Sequence, residues 1–461
     1  MSRYEKINSF ERRFHPALTI ISFSVPYLLF RSLSGFITSY LFFFFELYTG
    51  LSYSTVIMIV VGTGLVNVFI QPLLGYLSDR NYALTRKAGR RFPWIVIAGV
   101  IAPILVILLF SSQLIAWMNI GLFFMLFLLY NVASSIYSLN YSASLLAKFR
   151  HPKERLILAT IIEFFGVLLY LISSLFILLF PSYFFGAVII SIAFIVMVLL
   201  GIPGLLEERQ LIDTYYGPNL TPQESFFKDF FRRFAIFSRK NFIVLVIQWA
   251  ALAAFNVFFV TRMIFYVHYV LSVTLSMANL FAIIYFIMMI VAIPHGFLIS
   301  WFAGHVKTWI ISGFILGASV LSFFFIDEFL IALLIIAVVG FAVGLGTVAL
   351  IPLTGDVFDE HALHRKQRAE GFNYGLLALF GTGMTMFMPI FLSTPFILLF
   401  LAMFSIYPPI PSPMFVLGIK ITFSLVPSII MLIATILFVV FYDLKPQKTG
   451  EVREELKTLQ I

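Results

Sequence analysis

The chain has 461 residues, of which 61% are hydrophobic and only 11% charged, against roughly 25% charged in a soluble domain, which excludes an ordinary soluble protein. It contains no cysteine, so a disulfide framework, thiolate catalysis and cysteine-ligated zinc or iron–sulfur clusters are excluded as well. Its formal net charge of +9 is carried by loop residues that report membrane topology and gives no support to nucleic-acid binding.

Residues 1–16 carry Arg3, Lys6, Arg12 and Arg13 without a long apolar core, so no cleavable secretory signal is expected ahead of the first span. A bilayer crossing takes about 20 apolar residues. On that measure the apolar runs predict twelve spans, at 17–45, 54–77, 93–114, 118–145, 156–180, 183–205, 242–265, 275–300, 307–326, 329–353, 372–403 and 414–442. The basic residues sort onto loops of one parity: before the first span, after the second (Arg80, Arg86, Lys87, Arg90, Arg91), after the fourth (Lys148 to Arg155) and in the stretch after the sixth. Lys307, the Arg365–Arg368 group and the tail complete this side, leaving only Arg31, Arg262 and Lys420 within or at the end of spans. The positive-inside rule then places both termini in the cytoplasm. The one long polar interior segment, 206–241, divides the chain into a six-span half at 1–205 and another at 242–461. The expected fold class is an all-α integral membrane protein of twelve helices, multi-pass in the plasma membrane, with the lipid bilayer as its surroundings and no obligate protein partner.

Ionisable groups inside a membrane are costly and mark function by default. Arg31 falls near the middle of the first span, with Ser24, Tyr27, Ser34 and Thr38 at helical spacing along its face. Glu163 is the sole carboxylate well inside any span, and Thr160, Gly166, Tyr170 and Ser173 share its face. A third polar stripe, Asn131, Ser134, Ser135, Ser138 and Tyr141, lies on the fourth span. The three stripes point to one polar cavity in which Arg31 and Glu163 satisfy each other, and protonating the acid would release the base. Two bland readings stand beside this one: a fixed structural ion pair, or two side chains that never meet. Counting about 1.5 Å per residue from the expected helix ends sets Arg31 about 22 Å deep and Glu163 about 12 Å deep.

Asn67 and Gln71 share a face of the second span, where neutral amides suit a sugar or a neighbouring helix better than a hard cation. In the seventh span Gln248, Trp249 and Asn256 are the polar or amphipathic positions, and Trp249 offers a stacking face for a sugar ring, although packing is the commoner role of such a residue. The seven histidines are scattered over distant loops and spans at no metal or nucleophile spacing. No enzyme active site is expected.

Two further strings are specific. The first runs Gln71-Pro-Leu-Leu-Gly75-Tyr-Leu-Ser78-Asp79-Arg80 and continues at Arg86-Lys-Ala-Gly89-Arg90-Arg91-Phe-Pro93-Trp94. It resembles the loop between the second and third helices of the major facilitator superfamily, in the version found in glycoside–pentoside–hexuronide:cation symporters such as melibiose permeases and sucrose transporters. The second, Asp356-Val-Phe-Asp359-Glu360 followed by Arg368-Ala-Glu370-Gly371 between the tenth and eleventh spans, is similar to that family's acidic then Arg-x-Glu-Gly loop, with Ala362 where a further Glu is common. The resemblance covers about residues 17–445.

It implies two six-helix halves, alternating access, and a conformational latch built from Gly75, Asp79, Arg80, Arg90, Arg91, Asp356, Asp359, Arg368 and Glu370. Together with the embedded polar positions Arg31, Tyr27, Asn131, Trp249 and Asn256, the positions that the resemblance marks, Glu163, Asn67, Gln71, Ser138 and Thr382, are the expected substrate and coupling groups. The departures bear on the coupling ion. The two carboxylates that melibiose-permease-like members carry on the second helix are Asn67 and Gln71 here, the fourth-helix Asp falls at about Ser138, and an eleventh-helix Lys falls at about Thr382. A sodium site of that type is therefore not expected. The family's first-helix acid falls at about Phe30, beside Arg31, so the acid–base arrangement reads as reversed, with Glu163 on the fifth helix. The expected function is transport of a sugar or glycoside, a disaccharide by resemblance, with the proton as coupling ion, no cofactor and no metal. The alternative is an uncoupled facilitator or a carrier of a non-sugar solute.

Overall fold

In the computed structural model, residues 14–49, 53–80, 85–113, 119–174, 182–212, 226–383 and 413–459 are described. They are helical throughout the long apolar runs. We number the long helices α1 (Ala17–Thr49), α2 (Tyr53–Ser78), α3 (Phe92–Phe110), α4 (Ile120–Lys148), α5 (Pro152–Ser174), α6 (Tyr183–Leu200), α7 (Lys240–Phe265), α8 (Leu275–Ala303), α9 (His305–Ser322) and α10 (Phe329–Arg365). Helix α11 covers 370–383. Helix α12 is Pro413–Lys420 and Val426–Phe441 joined by a π-helical turn at Ile421–Leu425. Among the described residues ten helices are long and apolar enough to cross a membrane, or up to eleven if a bent pair ending in α7 counts as one span.

Large aliphatic side chains are left open as well as buried, as lipid-facing helices require. On α3 the buried side holds Ala98, Gly99 and Ala102 while Ile97, Ile101, Ile104 and Leu108 are exposed. Lipid supplies no hydrophobic drive between helices, so small residues set close approach and large aliphatic ones face the tails. Proline inside α1, α2, α8 and α10 (Pro26, Pro72, Pro294, Pro352) is tolerated for the related reason that neighbouring helices shelter the freed backbone groups.

Two compact units emerge. The first comprises Met1–Ile236, Gly355–Leu379 and Gln447–Ile461, the second Phe237–Thr354 and Phe380–Pro446. In the first unit α1 packs most extensively on α5, and α3 on α4 and α6. In the second, α7 and α9 both pack on α12, where Lys240 pairs with Asp443 at 2.5 Å and Lys420 pairs with Asp327. Lys420 thus has a carboxylate partner instead of simply reaching outward.

Two expectations change. The helix of the tenth span continues past residue 353: α10 runs to Arg365, so Asp356 and Asp359 sit on a helix and not on a loop. Leu353, Val357, Phe358 and Ala362 remain buried beyond the apolar run, which gives the extension a packed face. Part of this packing comes from the tail, where Pro446–Thr458 forms a helix whose Val452 and Leu456 cluster with Ala362. The stretch 206–241 is not uniformly polar either, because Phe226–Arg232 is a helix that continues as a 3-10 turn to Ser238 and packs its aromatic rings on the first unit.

Candidate functional site

Arg31 on α1 and Glu163 on α5 meet, with the guanidinium Nη2 3.4 Å from the carboxylate, within the first unit. Their expected depth difference shrinks to about 4 Å because α5 begins at Pro152, four residues earlier than expected, which adds about 6 Å to the depth of Glu163, and the long arginine side chain spans the rest. Gly166, one turn further on, lies beside the Arg31 stem: a Cβ there would stand 3.5 Å from its Cγ and Nε. The pair is loosely held. It is long for an ion pair, it is the one carboxylate contact that Arg31 makes among the described residues, and 31% of the arginine side chain is open. Tyr27, one turn before Arg31, stacks on Tyr141 of α4 with ring centroids 4.4 Å apart and lies against the guanidinium.

The other expected site residues separate into groups. Asn67 donates to Ser135 Oγ at 2.9 Å and accepts from it at 3.1 Å, Gln71 donates to the same hydroxyl at 3.4 Å, and Asn131 donates to Thr63 at 3.3 Å. The polar stripes of α2 and α4 therefore meet at Ser135 and Thr63, while Tyr141 of the α4 stripe stacks on Tyr27 beside Arg31. Ser138 is directed back to the Ser135 carbonyl, and Ser24, Ser34, Thr38, Thr160 and Ser173 likewise bond carbonyls of their own helices. In the second unit Asn256 bonds the Leu252 carbonyl of its own turn, whereas the buried indole N–H of Trp249 finds no acceptor among the described residues. Thr382 is half-buried near the end of α11 in that same unit.

The latch residues converge, all within the first unit. Asp79, just past α2, is fully buried and accepts from Arg91 at 2.7 Å, Arg233 at 3.1 Å, and the backbone N–H groups of Gly371 and Phe372 at 3.1 and 2.8 Å. The last two are orphan donors at the start of α11, where the helix dipole favours an anion. Burial disfavours the charged form of Asp79, yet the guanidinium groups of Arg91, Arg90 and Arg233 overcome it and hold the carboxyl below its usual range. Glu370 receives Arg91 at 3.1 Å and Arg90 at 3.3 Å. Gly75 makes this junction possible, because a Cβ there would lie 2.1 Å from the Gly371 carbonyl oxygen. A second centre forms around Asp359, which takes Arg155 at 3.0 Å and Arg368 at 2.8 Å, while Asp356 takes Arg453 from the tail helix at 2.5 Å. The guanidinium of Arg80 lies over the rings of Tyr76 and Phe226, 5.7 Å from each.

Several members of this network were not singled out from the sequence. Glu207 accepts the backbone N–H groups of Arg90 and Arg91 at 3.1 and 2.8 Å and so fixes the loop before α3, next to Gly89, whose φ of +89° suits glycine. His15 bridges Glu154 at 3.1 Å and Glu208 at 3.4 Å. Arg233 and Arg453 lie far from the motifs in sequence. Only the Glu-Glu-Arg run at 207–209 and the helical spacing of the tail hint at these roles.

A sequence model of the family described as MFS/sugar transport protein matches residues 21–445. No curated protein sequence matches the chain. Among solved structures, a bacterial homologue of the iron transporter ferroportin in an outward-facing state is similar at 13% identity and a TM-score of 0.67, covering 92% of this chain and 99% of its own. The human organic anion transporter MFSD10 (TETRAN) is similar at 12% identity and a TM-score of 0.64, covering 92% of this chain and all of its own. At such identities these likenesses speak to the fold alone, and they agree with the major facilitator architecture.

Proposed function

The chain belongs to the MFS/sugar transport protein family and is a membrane transporter of the major facilitator fold, not an enzyme, and from that premise we propose that it carries a sugar or glycoside by alternating access, coupled to protons through Glu163. The observation that carries this reading is the contrast between acids. Asp79 has four donors at 2.7–3.1 Å, whereas Glu163 has one arginine at 3.4 Å in a partly open setting. Stripping partners from a fully buried charge costs about 3–5 kcal/mol, whereas Glu163 has one longer contact to give up. Glu163 is thus the acid that can exchange its counter-ion within a transport cycle. Once Glu163 is protonated, Arg31 is freed to donate up to five hydrogen bonds to substrate hydroxyls, with Tyr27 beside it as an aromatic face. The amides at Asn67 and Gln71 engage Ser135, an arrangement that favours the proton over sodium.

In this reading the two six-helix halves are 1–205 and 242–461, joined by 206–241, with the basic loops and both termini in the cytoplasm of a plasma-membrane protein. The Asp79 and Asp359 centres serve as the latch of one conformational state. The test is uptake of labelled disaccharides into sodium-free proteoliposomes, with an imposed pH gradient and without one. Accumulation that collapses with the gradient supports the proposal; entry that merely equilibrates would make the protein an uncoupled facilitator, and a lack of any saturable sugar entry would reject sugar as the substrate.

A further inference from the structure

The helix Phe226–Arg232, in the segment after α6, has four faces of different chemistry. At about 100° per residue, Phe226 and Phe230 share one side, Phe227 and Phe231 the next, Lys228 and Arg232 the third, and Asp229 the last. The first face is occupied. Phe226 and Phe230 meet the ring of Tyr76 edge-on at 5.1 and 5.3 Å, Tyr76 donates its hydroxyl to the Phe226 carbonyl at 3.3 Å, and Phe230 and Phe234 pack on Phe372. Asp229 is also occupied, by Arg233 at 3.2 Å and by Arg365 and its neighbour on the helix Arg232 at 3.6 Å each. The two remaining faces are open, with Phe227 69% and Phe231 65% exposed beside exposed Lys228 and Arg232.

We propose that Phe227 and Phe231, flanked by Lys228 and Arg232, form a membrane-surface anchor that seats the segment on anionic phospholipid at the end of the bundle carrying the basic loops. Two observations select this occupant. The first is depth: Tyr76, which pins the helix, is two residues from the end of the apolar span Met58–Ser78, so the open phenylalanines stand where α2 leaves the hydrocarbon. The second is charge: Asp229 lies among Arg232, Arg233 and Arg365, three arginines to one acid, and with exposed Lys228 beside them the segment presents a net positive surface to negative headgroups. Aromatic side chains dipping below the headgroups with Lys and Arg above them is the arrangement of an interfacial amphipathic helix. The inference goes beyond the transport reading and does not depend on the substrate.

The absence of native cysteine allows a direct test. Single-site variants Phe227→Cys, Phe231→Cys and Lys228→Cys of the full chain are labelled with a nitroxide and reconstituted into vesicles of phosphatidylcholine, with and without phosphatidylglycerol. Collision with dissolved oxygen reports the lipid side, and collision with a water-soluble nickel chelate reports the aqueous side. Labels at 227 and 231 are expected to favour oxygen at least threefold over the label at 228. That preference should grow with phosphatidylglycerol and lose its dependence on this lipid in the Lys228→Gln/Arg232→Gln background, examined with the label at 231. Labels at 227 and 231 open to nickel in both lipids overturn the proposal, as do labels shielded from both reagents, which would indicate a protein surface over this face. Because two positions probe the same face, failure of one variant to fold leaves the other to decide.

Discussion

Asp79 accepts the backbone N–H of Phe372 at 2.8 Å across 293 residues of sequence, so the acid that ends α2 is also the N-terminal anion of α11. The same carboxylate neutralises Arg91 and Arg233, and its loss leaves two buried guanidinium groups short of charge. Asp79→Asn is expected to cost about 3–5 kcal/mol, read as a lower thermal midpoint in detergent. Adding Arg233→Gln should cost less than the sum of the two single changes; strict additivity would mean that the two groups do not depend on each other.

Gly75→Ala places a methyl group against the Gly371 carbonyl, whose oxygen would lie 2.1 Å from the new Cβ. Backbone cannot yield as a flexible side chain does, so the junction is expected to open at a cost of about 1–3 kcal/mol. Hydrogen exchange at the Gly371 and Phe372 amides should accelerate, with exchange in α4 unchanged. Unaltered protection at both amides would contradict the close approach.

Glu163→Gln keeps the shape of the side chain and removes its titration. Gradient-driven accumulation is expected to be abolished while equilibrium exchange of labelled sugar is largely retained. Equal loss of both activities would assign Glu163 to binding or structure. Arg31→Gln, by contrast, should weaken exchange itself by roughly tenfold or more, in keeping with the loss of about 1.5–3 kcal/mol from charged hydrogen bonds.

His15 offers a pH signature outside the membrane spans. Burial works against its charged form, but hydrogen bonds to Glu154 and Glu208 outweigh this and raise its pKa above 6.5. A raised pKa in the folded state means that the stabilisation is complete below the unfolded value of 6.5 and is lost as pH rises through the folded value. The thermal midpoint should therefore fall from the acid side of 6.5 upward, and His15→Gln should flatten that decline. A variant with the same pH slope as the parent would remove His15 from the account.

Glu207→Gln removes the anion that receives the Arg90 and Arg91 amides at 3.1 and 2.8 Å. A cap of this kind is worth about 0.5–2 kcal/mol, so a modest drop in the thermal midpoint is expected, with faster exchange at those two amides. Protection equal to the parent's at both would show that the loop is held by other contacts.

Much of the latch was readable in the sequence because its members sit in contiguous strings: Gly75 to Asp79, Arg90 and Arg91, Arg368 to Glu370. Glu163 and Arg31 stood out for an equally simple reason, as charges in apolar runs. The polar stripe of α4 was less legible, since the spacing of Asn131, Ser135 and Ser138 fits a helix-to-helix seam as well as a cavity wall, and only the hydrogen bonds from Asn67 and Gln71 to Ser135 reveal the seam. Glu207, Arg233 and Arg453 carry no motif of their own. Their partners are brought to them by folding, so no local spacing announces the contact.

By itself the sequence determined the membrane habitat, the helical spans and the family, because apolar run length and loop charge act locally on each segment, whatever its neighbours. Partnership was decided by the tertiary structure. An early start to α5 brought Glu163 closer to the depth of Arg31, an extension of α10 placed Asp356 and Asp359 on a helix, and the 226–238 segment turned one aromatic face inward and left another open. Each of these depends on how two helices register against each other, a quantity set by packing between segments far apart in the chain and absent from any one of them.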